Sequence, residues 1–166
     1  CGLNETMTYS FADPKELEQL RMPTDGLGIP VELLNPLNSD QSVMRQSIIF
    51  GGLESVARNI NHKNPNMKLY EFGNVYHYNG DADQTEKALA PYTEQPMLGM
   101  WLSGNNHEES WAEPVRPVNV YDLKATLENV LTGMGVELDT LTLEQTEDDT
   151  LEPSLTYKNR GGKVIA

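Results

Sequence analysis

Val31 to Tyr78 reads VELLNPLNSDQSVMRQSIIFGGLESVARNINHKNPNMKLYEFGNVYHY. Val31–Leu34 has the length and composition of a short strand. Asn35-Pro36 stops it, because a proline pushes the residue before it out of helical angles. The polar run to Ser42 is a loop, and Val43–Gln46 is extended. Ser47 is an N-cap for a helix reaching about Asn61. Ile49, Leu53, Val56 and Ile60 lie four, three and four residues apart, on one face of that helix. Gly51-Gly52 in its first turns weakens it and lets another backbone approach closely. Asn64-Pro65-Asn66 then turns the chain into a strand over Met67–Tyr78. Tyr70, Phe72 and Tyr76 share one face of this strand, with Leu69 and Val75 on the other. Apolar residues on both faces place it at the centre of a sheet.

Upstream, Met7, Tyr9 and Phe11 alternate with Thr8 and Ser10, the pattern of a half-buried strand over Thr6–Phe11. Asp13-Pro14-Lys15-Glu16 opens a short helix: Asp13 caps it, Pro14 suits its first position, and Pro23 ends it. Thr24–Pro30 is a turn-rich loop. Its Gly-x-Gly has no third glycine at dinucleotide spacing and opens no helix.

Downstream, Asn79–Gln95 is a polar loop with one helical turn near Glu86–Leu89. Met97–Ser103 is an apolar strand. Gly104–Pro117 is an irregular connection that holds Trp111. A second helix starts at Val118 or Asn119. Leu123, Leu127, Val130, Leu131 and Met134 form its stripe, and Gly133 and Gly135 mark its end. Asp139–Gln145 is strand-like with Leu141 and Leu143 inward. Ser154–Lys158 is a short strand, Arg160-Gly161-Gly162 a hairpin turn, and Val164-Ile165 the start of another strand. The expected fold class is α+β, a mostly antiparallel sheet flanked by helices. The last strand breaks off mid-pattern. The expectation is therefore a single domain, residues 1–166, cut from a longer subunit at both ends.

The formal net charge is −13, from 25 acids against 12 lysines and arginines. Such a surface repels a phosphate backbone and argues against extensive nucleic-acid binding. Arg58, His62, Lys63 and Lys68, and again Lys158, Arg160 and Lys163, read as solvated surface. So do the seven acids between Glu137 and Glu152, which suit a charged sheet edge. Cys1 is the only cysteine, so neither an internal disulfide nor a cysteine-based zinc site is available, and a reducing, cytoplasmic setting is expected. No apolar run approaches the ~20 residues of a membrane-spanning helix. The triplet Asn4-Glu5-Thr6 reads as a chance match to a glycosylation site.

His62, His77 and His107 are scattered and lack metal-ligand spacing. There is no Gly-x-Ser-x-Gly elbow and no phosphate loop. No catalytic, cofactor-binding or metal-ligating residue is assigned. Met44, Arg45 and Asn59 invite a site assignment. The structural alternative is favoured: Arg45 pairs with a nearby acid or with turn carbonyls, and Asn59 bonds backbone groups.

Several segments, in order, resemble the beta chain of phenylalanyl-tRNA synthetase in its catalytic-like module. They are Leu34-Asn35-Pro36-Leu37, Ser42-Val43-Met44-Arg45-Gln46-Ser47, Asn59, and Leu69-Tyr70-Glu71-Phe72-Gly73-Asn74-Val75-Tyr76. Gly2-Leu3-Asn4-Glu5 with Thr8-Tyr9-Ser10-Phe11, and Val120-Tyr121-Asp122-Leu123-Lys124, are similar to the family's flanking motifs. Ala125 stands where the family often has glycine. The resemblance implies a class II aminoacyl-tRNA synthetase-like fold and a non-catalytic scaffold and subunit-interface role. The implied partner is the alpha chain, in an α2β2 tetramer. ATP and magnesium would belong to the whole enzyme, with none in this segment, and tRNA would be bound by the whole enzyme.

An active class II site places an arginine at the end of a strand, followed two residues later by an acid. Here Tyr76 is followed by His77, Tyr78 and Asn79, and an imidazole offers phosphate fewer donors than a guanidinium. The glycine-rich signature ending in arginine is also missing before Ala166. These departures disfavour the alternative, an active amino-acid- and ATP-binding domain on the same fold.

Overall fold

The computed structural model describes residues 2–15, 29–80, 89, 91–146 and 154–166. In chain order the elements are β1 (Asn4–Glu5), β2 (Phe11–Ala12), β3 (Val43–Met44), α1 (Ile49–Asn61), β4 (Met67–Tyr78), β5 (Tyr92–Ser103), α2 (Val120–Gly133), β6 (Thr142–Thr146) and β7 (Ser154–Lys158). They fall into two compact units, residues 3–103 and residues 104–166 with Gly2. Most of the helix expected after Pro14 lies outside the described residues. So do most of the Thr24–Pro30 loop and nearly all of the turn near Glu86–Leu89. Lys15 N does donate to Asp13 Oδ1 at 2.9 Å, as a helix-start cap requires.

In the first unit β4 and β5 pair antiparallel over their whole length, from Met67 opposite Ser103 to Tyr78 opposite Tyr92. β1 joins the other side of β4, so β4 is central, as its two apolar faces imply. β1 runs parallel to β4, with Asn4 beside Leu69 and Glu5 beside Tyr70. β2 pairs with β3 and β6 with β7, both antiparallel. The architecture is α+β and its pairing largely antiparallel. Among the described residues the strands form three small sheets, however, where the sequence suggests one.

Several local expectations shift. β5 begins at Tyr92, inside the stretch expected to be loop. It is a sheet edge, where water solvates polar side chains and a proline costs no buried donor, so Thr93, Glu94, Gln95 and Pro96 all fit. Val31–Leu34 is not a strand. It makes one bridge, Glu32 to Val43, with bonds from Leu33 N to Ser42 O and Met44 N to Val31 O. Thr6–Phe11 is strand only at Phe11, and its buried half is the polar one. Met7 is 87% and Tyr9 77% exposed, while Thr8 turns inward.

α1 starts at Ile49, with Ile48 as N-cap and no side-chain cap, although Ile49 N donates to Ser47 Oγ at 3.2 Å. Its inner contact is Gly52. A Cβ there would overlap the Trp101 indole, and one on Gly99 of β5 would meet the same ring. Where a second backbone was expected, Gly52 admits an aromatic plate and Gly51 the side chain of Thr8. Of the expected stripe, Ile49 and Val56 are half-buried, while Leu53 and Ile60 stay about half exposed.

In the second unit Asn119 caps α2 and forms a capping box with Asp122. The helix ends in a Schellman motif: Val136 N donates to Leu131 O and Gly135 N to Thr132 O, with Gly135 at φ +84°. Leu131 is the buried member of the expected stripe, and Met134 is exposed. A 3-10 turn over Leu138–Thr140 replaces the first half of the strand expected there, and Leu143 is exposed. The tight turn at 160–162 forms as expected, with Gly162 at φ +76°. Tyr157, buried on β7, donates to Glu128 Oε1 on α2 at 2.6 Å. Burial, then this bond, pushes the Tyr157 phenol up to about 12. The same bond, helped by Lys124, lowers the Glu128 carboxyl.

Candidate functional site

Arg45 follows β3, and Glu71 lies at the middle of β4. Both are buried, at 6% and 2% exposure. Two buried charges survive only when paired and hydrogen-bonded. Arg45 Nη1 donates to Glu71 Oε1 at 2.9 Å and to Thr8 Oγ1 at 2.8 Å. Thr8 Oγ1 donates in turn to Glu71 Oε2 at 2.8 Å. Arg45 Nε donates to Asn74 O at 2.9 Å. The guanidinium rests on Gly73, where any Cβ would overlap it. The main chain binds the same three segments: Arg45 N donates to Ser10 O, and Tyr76 N donates to Arg45 O.

Of the two pairings expected for Arg45, the acid is present, whereas the carbonyl its Nε meets belongs to Asn74 on β4 and not to the adjoining turn. Asn59 behaves as expected too, donating to Ser55 O at 2.8 Å. Met44 sits in the β2–β3 pair opposite Phe11. His77 Nδ1 lies 3.4 Å from Gln46 Nε2, and His77 faces Thr93 across the ladder. Thr8, Glu71 and Gly73 belong to the Arg45 cluster and were not singled out from the sequence. Glu71 carried a signal, since it is the acid on the strand face of Leu69 and Val75.

Beside this cluster is a cavity of about 160 Å³, reached by Arg45, Phe50, Glu54 and Arg58 and by the exposed Met7 and Tyr9. No group of three or more potential metal ligands occurs among the described residues. His107 lies outside any such group and approaches Glu113 at 3.6 Å. No helix among the described residues is long and apolar enough to cross a membrane.

The fold is similar to that of a solved tRNA synthetase. It matches a pyrrolysyl tRNA synthetase from Desulfitobacterium hafniense with a TM-score of 0.54 and 15% identity, over 99% of this chain and 49% of that one. Residues 1–164 match the family described as the phenylalanyl tRNA synthetase beta chain CLM domain, and the chain belongs to that family. Phenylalanine–tRNA ligase beta subunits are similar along the whole chain. That of Bacteroides fragilis is 41% identical over 167 residues, covering 100% of this chain. That of Bacteroides thetaiotaomicron is 40% identical over 166 residues. That of Porphyromonas gingivalis is 34% identical over 165 residues. The chain spans about a fifth (20%) of the length of these curated relatives.

Proposed function

We propose that residues 1–166 are a non-catalytic scaffold and subunit-interface domain of a phenylalanine–tRNA ligase beta chain. The domain is class II synthetase-like and catalytic-like in fold. It supports ATP-dependent charging of tRNA with phenylalanine by an assembled cytoplasmic α2β2 enzyme. ATP and magnesium act at the alpha chain, which is the direct partner, and tRNA is held by the whole enzyme.

The observation that carries this reading is the state of Arg45. Its guanidinium lies beside the middle of β4, buried against Glu71, Thr8 and Asn74. His77, Tyr78 and Asn79 at the strand end supply no fork of charged donors for a triphosphate. Family membership supplies the ligase context.

Calorimetry of the chain with ATP, and with a non-hydrolysable phenylalanyl-adenylate analogue, tests the non-catalytic role. No saturable heat is expected. Micromolar binding that disappears in His77→Ala would replace the scaffold with an active synthetase-like domain.

A further inference from the structure

We infer that the cavity beside Arg45 is a socket for a basic side chain of a partner polypeptide, rimmed by exposed Met7, Tyr9 and Phe11. The socket presupposes the scaffold role above and says where that contact is made.

The lining combines three aromatic rings, Tyr9, Phe11 and Phe50, with three carboxylates, Asp13, Asp40 and Glu54. Two arginines also reach it. Arg45 is neutralised by Glu71, so by formal charge the three carboxylates face one remaining cation, Arg58, and the lining is negative by two. Carboxylates beside aromatic faces attract an ammonium or guanidinium by charge and by the ring quadrupole. The same carboxylates repel a phosphate or an acidic peptide. The volume, about 160 Å³, suits one long side chain and is too small for a nucleotide.

The rim points to a polypeptide and not a free cation. Met7, Tyr9 and Phe11 alternate with the less exposed Thr8 and Ser10, and all three are exposed. A contiguous set of large apolar side chains around a polar recess has the anatomy of a docking site. Net charge −13 adds long-range attraction for a basic surface.

The test is association of the alpha chain with the full beta chain that carries this stretch, followed by sedimentation at low and high salt. Glu54→Lys combined with Asp40→Lys is expected to weaken association by about tenfold at low salt and to flatten its salt dependence. Tyr9→Ala removes an exposed ring that the fold does not need, and is expected to weaken association about fivefold. Glu137→Lys, an exposed acid of the second unit, is expected to change nothing. The socket is overturned if the double variant and Tyr9→Ala associate like the parent, or if Glu137→Lys weakens association equally. Failure of the parent chains to associate at all would instead remove the scaffold role.

Discussion

α2 begins on Asn119, whose side chain accepts from Tyr121 N and Asp122 N, and stops on Gly135 in the left-handed region. α1 begins on Ile48 with no side-chain cap and stops on Lys63, also left-handed, at φ +63°. Both helices end in the same hydrogen-bond pattern: Asn64 N to Asn59 O and Lys63 N to Ile60 O repeat the bonds at Val136 and Gly135. One helix carries its start and stop in its own sequence. The other carries its stop in the same local way but borrows its start from what surrounds it, a buried ion pair just before it and an indole seated on Gly52. A helix held locally is sensitive at its ends, whereas a helix held by tertiary packing is sensitive at distant contacts.

The largest effect belongs to the ion pair. Glu71→Ala leaves the Arg45 guanidinium buried without its carboxylate, and a broken buried pair costs about 3–5 kcal/mol. Urea unfolding followed by circular dichroism should show the midpoint falling sharply. Arg45→Met combined with Glu71→Leu should recover much of the loss, because both charges then leave the interior together. A loss from Glu71→Ala below ~1 kcal/mol would mean that α1 does not depend on this support.

Gly52→Ala comes next and sets two effects against each other. Alanine improves helix propensity by about 1 kcal/mol. Its methyl also overlaps the Trp101 indole, and overpacking costs about 1–3 kcal/mol. A net loss with an altered near-ultraviolet tryptophan band is expected. A net gain would show that α1 is limited by propensity, as an isolated helix is.

This contrast explains how much the sequence reveals. The ends of α2 are legible because Asn119, Asp122, Gly133 and Gly135 are adjacent signals acting through nearby backbone. Ser154–Lys158 and the tight turn after it are legible for the same reason. The face of α1 is only half legible: Ile49 and Val56 are half-buried as expected, but Trp101, forty-nine residues beyond Gly52 (101 − 52), seats on the glycine and leaves Leu53 outside. The inversion of Thr6–Phe11 has a similar origin. The buried Arg45–Glu71 pair takes one further hydrogen bond on each partner from the Thr8 hydroxyl, so Thr8 goes in and Met7 and Tyr9 go out. Hydrophobic alternation fixes the period of a strand. It does not identify the inner face when the interior is charged. The candidate site is half legible: Arg45 can be expected to pair, but its partners come from two other segments.

A smaller effect isolates the local side of the comparison. Asn119→Ala removes the acceptor for Tyr121 N and Asp122 N and should cost ~1 kcal/mol. Asn119→Ser should retain most of that stability, since serine caps nearly as well. Thermal unfolding monitored at α2 amides by hydrogen exchange would localise the loss. Equal loosening of α1 amides would show that the two units unfold as one and that the contrast is only geometric.

Lys63→Gly has the smallest expected effect and the opposite sign. A side chain at φ +63° brings its Cβ against the following carbonyl, at roughly 1–2 kcal/mol. Glycine removes that strain but enlarges the entropy lost on folding, at about 0.5–1 kcal/mol. The Schellman bonds are main-chain bonds and survive the change. A net gain of a few tenths to ~1 kcal/mol is expected, read as a higher urea midpoint. Gly135→Ala at the matching position of α2 should move the other way. If Lys63→Gly instead destabilises, the lysine side chain contributes more at the end of α1 than its backbone strain costs. The stop of α1 would then be set by side-chain contact, as its start is.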